Sequence, residues 1–146
     1  MTESPYELLM ACHERIRRFV GGMSLIAALP DPADPRIPEA CDQIARYLRE
    51  GLPLHVRDEE ESLAPRLPSD AAARMVREHR EHEPLIAEAL AALAARDVVA
   101  IGRAYAQLHP EVERHLREEE EDIFPHLSRI VDPDAFVAEI RARRAG

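Results

Sequence analysis

Apolar residues recur at intervals of three and four positions in four long stretches of the chain, a pattern typical of helices that bury one face. We call the inward positions of each stretch its seam. The first stretch begins with Ser4, Pro5 and Glu7, which favour the cap, first turn and third position of a helix. The helix is predicted to run to about Leu29. Its seam consists of Leu9, His13, Ile16, Val20, Met23 and Ala27.

The second stretch begins near Pro38, and its seam changes from apolar to polar half-way along. The seam positions are Cys41, Ile44, Leu48, Gly51, His55, Glu59 and Ser62. Pro53 supplies no amide hydrogen to the helix, so a bend is predicted just before the polar part.

Two further stretches also carry histidines on their seams. The third follows a predicted cap at Ser69, and its seam is Met75, His79, His82, Ile86, Ala89 and Leu93. The fourth follows a predicted cap at Asp97, and its seam is Ile101, Tyr105, Leu108, Val112, His115 and Glu119. A short fifth helix is predicted from the segment Asp132-Pro133-Asp134 to about Arg144, because Pro favours the first turn of a helix.

The predicted fold class is all-α, an up-down-up-down antiparallel four-helix bundle with a short C-terminal fifth helix. Short or proline-rich links between the long helices favour this order. The chain has only 5 Gly, no Trp and 4% aromatic residues, which disfavours a β-sandwich or a barrel. Its length of 146 residues suits a single domain, so we expect residues 1–146 to form one domain whose motifs share a single core.

The charge balance narrows the possible partners. There are 28 acidic residues against 19 basic ones, all of them Arg, and the formal net charge is −9. No basic tract stands out, so nucleic acid is not an expected partner. The chain lacks a long apolar run and a signal-peptide pattern, so we expect no membrane contact and a cytoplasmic location. Cys12 and Cys41 lack the spacing of a zinc ribbon and are predicted to be buried thiols.

A short internal repeat links the second and fourth helices. The segments HVRDEEESLAP (55–65) and HLREEEEDIFP (115–125) align without a gap and share six of eleven residues. The two helical hairpins therefore resemble copies of one unit.

Each copy places a histidine four residues before a glutamate, so both side chains lie on one helix face and can reach one point in the core. Two buried carboxylates repel each other and need a positive partner. The chain has no lysine, and most arginines near the seams are expected to face solvent, so a metal ion is favoured. Histidine and carboxylate together suit iron, manganese or zinc. The neighbouring acidic residues are expected to face solvent; they are Glu60, Glu61, Glu118, Glu120 and Glu121.

The repeated signature H-x-x-x-E-E-E-x-x-apolar-x-P, with a lone histidine in the first helix and more in the third, resembles the hemerythrin-like (HHE cation-binding) family over about residues 5–128. The resemblance implies a four-helix bundle around a non-haem di-iron centre with an oxo or hydroxo bridge. His13 and His55 are then implied to bind one iron, and His115 with the helix-three histidines the other. Glu59 and Glu119 are implied to bridge them.

The third helix departs from the spacing of oxygen-carrying hemerythrins, which have H-x-x-x-H there. His79 and His82 are three residues apart, and Glu83 occupies the fourth place. Two six-coordinate irons offer about 12 positions, of which two bridging carboxylates and an oxo bridge fill six. Five histidines leave one position open, which suits reversible end-on dioxygen binding. Four histidines leave two positions open, which favours turnover. Further alternatives are that Glu83 is a ligand or that Tyr105 contacts the centre.

The sequence therefore predicts a small non-haem di-iron protein that binds, senses or stores dioxygen or a related small ligand. One alternative is a di-iron enzyme that removes peroxide or nitric oxide. Another is a metal-free helical interaction module, and a regulatory role would need a partner protein. Whether the chain is an enzyme stays open at this point.

Overall fold

The computed structural model describes residues 3–146, and every regular element in that range is helical. Helix α1 spans Pro5–Ala27 and ends slightly before the predicted boundary. The Glu7 amide donates a hydrogen bond to Ser4 Oγ at 3.1 Å, which confirms the predicted cap.

Helix α2 contains two π-helical turns that the periodicity does not reveal. Its consecutive segments are Ile37–Arg46 (α), Tyr47–Gly51 (π), Leu52–Arg57 (α), Asp58–Leu63 (π) and Ala64–Arg66 (3-10). The first π turn ends two residues before Pro53, where the sequence predicts a bend, and a wide turn lets the helix pass a residue without an amide hydrogen. The second contains Glu59.

Helix α3 spans Ser69–Ala95 and begins differently from the prediction. Pro68 occupies the N-cap position with an extended backbone, and Ser69 is already helical, so the predicted serine cap is wrong. The helix ends at Ala95, and the following residue, Arg96, adopts a left-handed φ of 53°. The Arg96 guanidinium donates to the Pro38 carbonyl oxygen at 2.7 Å, and this contact ties the end of α3 to the start of α2.

Helix α4 repeats the behaviour of α2. It runs as an α-helix over Val98–Glu118, widens into a π turn over Glu119–Ile123 and closes with a 3-10 segment, Phe124–Arg129. Asp97 accepts hydrogen bonds from the Val99 and Ala100 amides at 3.1 Å each, which confirms its predicted cap. Both copies of the repeated motif thus carry a π turn that contains the aligned glutamates Glu59 and Glu119, and such turns are frequent at functional sites.

Helix α5 spans Pro133–Ala145, close to the predicted range. Its Phe136 and Ile140 side chains are fully buried against the end of the bundle. Among residues 3–146, no helix is long and apolar enough to cross a lipid bilayer.

The four long helices pack in a closed ring, in which α1 and α3 each contact both α2 and α4. Two apolar clusters fill the ring from either end. We call the cluster that contains Leu9 the lower cluster and the one that contains Ile16 the upper cluster. Along α1, His13 lies between these two residues. The seam polarity predicted from sequence therefore forms a buried polar layer between two apolar cores. The up-down-up-down order of the helices stays a prediction.

Candidate metal centre

Six buried side chains from all four long helices meet in the polar layer. They form two overlapping groups, His13, His55, Glu59 and Glu119 in one, and Glu59, His79, His115 and Glu119 in the other. Within each group, one nitrogen or oxygen atom of every residue lies within 4.8 Å of those of the others. Glu59 and Glu119 belong to both groups, as carboxylates between two metal positions do.

All four histidines direct Nε2 towards one of the two glutamates. For Glu119, the closest distances are 3.2 Å to His13 and 3.3 Å to His115. For Glu59, they are 3.4 Å to His55 and 2.9 Å to His79. The four rings therefore point the same kind of atom at a common centre, the arrangement that nitrogen ligands need.

Most of the inward-facing atoms have no hydrogen-bond partner. Buried and unpartnered are His13 Nε2, His55 Nδ1 and Nε2, Glu59 Oε2, and Glu119 Oε1 and Oε2. An unsatisfied buried polar group costs about 1–3 kcal/mol. A layer with this many unsatisfied atoms therefore needs an explanation, such as a bound ion. The nitrogen and carboxylate donor set suits iron, manganese or zinc.

The two central glutamates do not ionise alike in the metal-free chain. Burial raises the pKa of Glu119 to about 8, and the neighbouring Glu59 carboxylate adds to this effect. Burial also opposes ionisation of Glu59, but the adjacent His55 prevails and lowers the pKa of Glu59 below its usual range. At pH 7 and without a cation, the coupled pair of carboxylates therefore carries one negative charge rather than two.

Comparison with known protein families identifies the family of this chain. Residues 4–127 match the model of the hemerythrin HHE cation-binding domain. The chain belongs to the hemerythrin HHE cation-binding family. Comparisons with curated proteins and with solved structures returned no match. The family match ends before α5, so that helix lies outside the matched region.

Carboxylates outside the central pair support three of the four histidines in this hemerythrin-family centre. Each lies 2.8 Å from a histidine Nδ1; the pairs are Glu120 with His13, Glu60 with His79, and Glu78 with His115. Such a contact fixes the tautomer and turns Nε2 towards the metal position.

The expectation that Glu60 and Glu120 face solvent is wrong. Their side chains are only 20% and 22% exposed, because the long carboxylates reach across to histidines of neighbouring helices. Glu61 and Glu121 are exposed as expected, and Glu118 is half-buried. A π turn packs more residues into each turn than an α-helix does, which helps two consecutive glutamates of one copy face the interior.

Glu78 is a residue that sequence reasoning missed. It is buried, with 7% exposure, although it precedes the seam position His79. Its spacing of three from Met75 and four from His82 was the available signal, because that spacing places it near the seam.

His82 is buried beside the centre but outside both four-residue groups. Its ring centre lies 5.1 Å from that of His115. Burial lowers the pKa of His82 to about 4, and the neighbouring His115 and His79 add to the shift, so the ring is neutral at pH 7. A neutral imidazole is the form that binds a metal.

Two other candidates lie away from the centre. The Glu83 side chain is 62% exposed and pairs with Arg80 at 3.2 Å. Tyr105 is half-buried, stacks on His109 with ring centres 4.9 Å apart and packs against the upper apolar cluster. Neither points into the polar layer, so both remain outside the set of close ligand atoms.

A cavity of about 40 Å³ adjoins the centre. Its walls include Glu59 and four histidines, His55, His79, His82 and His115. The other walls are apolar, namely Ile16, Leu52, Val56, Ile86, Val112 and Leu116. A space of this size accepts a molecule of a few atoms and excludes larger ones.

Proposed function

We propose that this chain is a non-haem di-iron protein that binds dioxygen or a related small ligand, for sensing, storage or transport. The observation that carries the proposal is the set of unpartnered buried atoms on His13, His55, Glu59 and Glu119. Such a set is costly in a metal-free core and is satisfied when a cation pair is bound. We take residues 1–146 as one domain acting in the cytoplasm, without nucleic-acid or membrane partners.

Six of the seven residues that would hold the metals belong to the two overlapping groups. His13 and His55 would hold one iron and His79 and His115 the other, and Glu59 and Glu119 would be shared by both. His82 lies outside both groups and would complete the second set from the wall of the adjoining cavity. A bound iron pair supplies electrons and an exchangeable coordination position for a small molecule. The chain's own contribution is to orient the imidazoles, hold the carboxylates and exclude bulk water with apolar walls.

The cavity supports a small, weakly polar ligand. It opens beside His79, His82 and His115, and its volume of about 40 Å³ matches dioxygen, nitric oxide or peroxide better than an organic substrate. Apolar walls such as Ile86 and Val112 offer no hydrogen bonds to a larger polar molecule.

A second candidate function is removal of peroxide or nitric oxide by turnover. One observation favours it, because His82 lies outside both groups of close ligand atoms. If His82 does not bind, the second iron keeps an additional exchangeable position. Peroxide or nitric oxide consumption by iron-loaded protein, compared with the His82→Ala variant, distinguishes binding from turnover.

Iron content and the absorption spectrum test the proposal. We expect two irons per chain and near-ultraviolet bands of an oxo-bridged ferric pair in the native protein. The double variant Glu59→Ala, Glu119→Ala should lose both metals. The matched control is Glu61→Ala, Glu121→Ala, because both residues belong to the same acidic runs but are exposed.

The control variant should retain two irons. Full metal content in the Glu59/Glu119 double variant would refute the proposal. A native chain that never takes up iron, manganese or zinc would instead indicate a helical interaction module.

A further inference from the structure

The internal repeat gives the centre an approximate two-fold symmetry. His55 and His115 are equivalent because both open the repeated motif. His13 and His79 are equivalent through their partners, since Glu120 contacts His13 and Glu60 contacts His79, each at 2.8 Å. Glu60 and Glu120 occupy the same place in the two copies. The two metal positions therefore have matching support up to this point.

The symmetry breaks at the residue that supports the remaining histidine of each half. On one side Glu78, directly before His79, lies 2.8 Å from His115 Nδ1. On the other side the residue directly before His13 is Cys12. Cys12 Sγ, a ring nitrogen of His55 and an oxygen of Asp58 lie within 4.8 Å of one another. A thiol thus stands where the other half has a carboxylate.

His55 is correspondingly the least supported histidine of the four. It is 3% exposed, and neither of its ring nitrogens has a hydrogen-bond partner. Because Nε2 lies 3.4 Å from Glu59, Nδ1 is the nitrogen left for the side of Cys12. The nearest carboxylate there, Asp58, is already engaged by other groups.

Two arginines of α5 hold Asp58. Arg143 donates to Asp58 Oδ1 at 2.7 Å and Arg144 to Oδ2 at 2.5 Å. Asp58 is fully buried, and these guanidinium groups supply its positive partners, so the group of Cys12, His55 and Asp58 has no need of a third metal ion. Arg144 also lies 3.9 Å from Cys12 Sγ, much as Arg74 lies 3.8 Å from Glu78.

We propose that Cys12 occupies the supporting position beside His55, and that a thiol in that place makes the metal position of His13 and His55 the weaker of the two. The inference rests on the proposed dinuclear function. A carboxylate that accepts from Nδ1–H raises the basicity of a ligand histidine, whereas sulfur is a weak acceptor. Supporting contacts of this kind change metal affinity by about 10- to 100-fold, so the two ions bind in sequence.

Co²⁺ titration of the metal-free full chain against a competing chelator tests the order of loading. Visible absorption reports each Co²⁺ as it enters, and the experiment needs no catalytic assay. The native chain should show two steps whose dissociation constants differ by about 10- to 100-fold. His82 adjoins the tighter position and could itself strengthen binding there. The decisive quantity is therefore the change that each single substitution causes in the two dissociation constants.

Substitutions on opposite sides should move different steps. Glu78→Cys should weaken the tighter step by about 10- to 100-fold and narrow the gap. Cys12→Asp should strengthen only the weaker step, because it supplies a carboxylate at the supporting position. Cys12→Ala should not strengthen that step, because alanine supplies no acceptor. Cys41→Ala is the matched control, because Cys41 is an equally buried thiol in the upper cluster, and it should leave both steps unchanged.

Circular dichroism checks that each variant folds, and Glu78→Cys decides the matter if Cys12→Asp does not fold. Two equal steps in the native chain, or an unchanged gap in Glu78→Cys, would overturn the inference while leaving the dinuclear centre intact. Absence of any Co²⁺ binding would overturn the proposed function as well.

Discussion

Replacing both Arg143 and Arg144 with alanine is expected to destabilise the chain far more than an ordinary surface change. The two guanidinium groups are 10% and 31% exposed, and together they neutralise the fully buried Asp58. Removing the partners of a buried charge costs about 3–5 kcal/mol. We expect the lower half of that range, because Arg144 is partly solvated. For a chain of this length, about 3 kcal/mol lowers Tm by about 10 °C.

Urea unfolding of the metal-free chain, followed by circular dichroism, measures this effect. The midpoint should fall while the slope m stays unchanged, since the surface exposed on unfolding is the same. Adding Asp58→Asn to the double variant should recover much of the loss, because no charge is then left without a partner. Arg141→Ala is the control, since Arg141 is 57% exposed and lies 3.9 Å from Glu3. A loss below about 1 kcal/mol, or no recovery with Asp58→Asn, would refute the reasoning.

Four further outcomes are expected. The pKa of Glu119 is about 8 in the metal-free chain, so metal binding at pH 7 should release its proton; calorimetry in buffers of different ionisation enthalpy should show less release at pH 9. Because that pKa lies above its unfolded value, the free energy of unfolding of the metal-free chain should fall as pH rises from about 4.5 to 8. Glu60→Gln should weaken metal binding by about 10- to 100-fold in a chelator competition, whereas the exposed Glu61→Gln should not. Val112→Phe should fill the cavity and slow small-ligand binding in stopped-flow absorption with metal content unchanged; equal rates would exclude this cavity as the ligand pocket.

Local sequence determined the features that depend on spacing within one helix. The four-residue separation of His55 from Glu59, and of His115 from Glu119, places each pair on one face whatever else the chain does. The caps at Ser4 and Asp97 were likewise predictable, because a cap bonds to amides only two or three residues away. At Ser69 the same reasoning failed, since the preceding Pro68 already provides the extended residue at which the helix begins.

The tertiary structure decided which side chains support the candidate ligand histidines. Glu60 and Glu120 are off the seam of their own helices, but each meets a histidine on a neighbouring helix. The partner of Cys12 could not be predicted either, because a residue next to His13 in sequence faces a different helix.

The same holds for α5, whose arginines reach Asp58 from 85 and 86 positions away in sequence. Periodicity states which face of a helix is buried, whereas the packing of helices states what that face meets. The sequence alone therefore predicted the candidate ligand residues, and only the assembled bundle determined their supporting contacts, because those contacts join residues whose distance depends on helix packing.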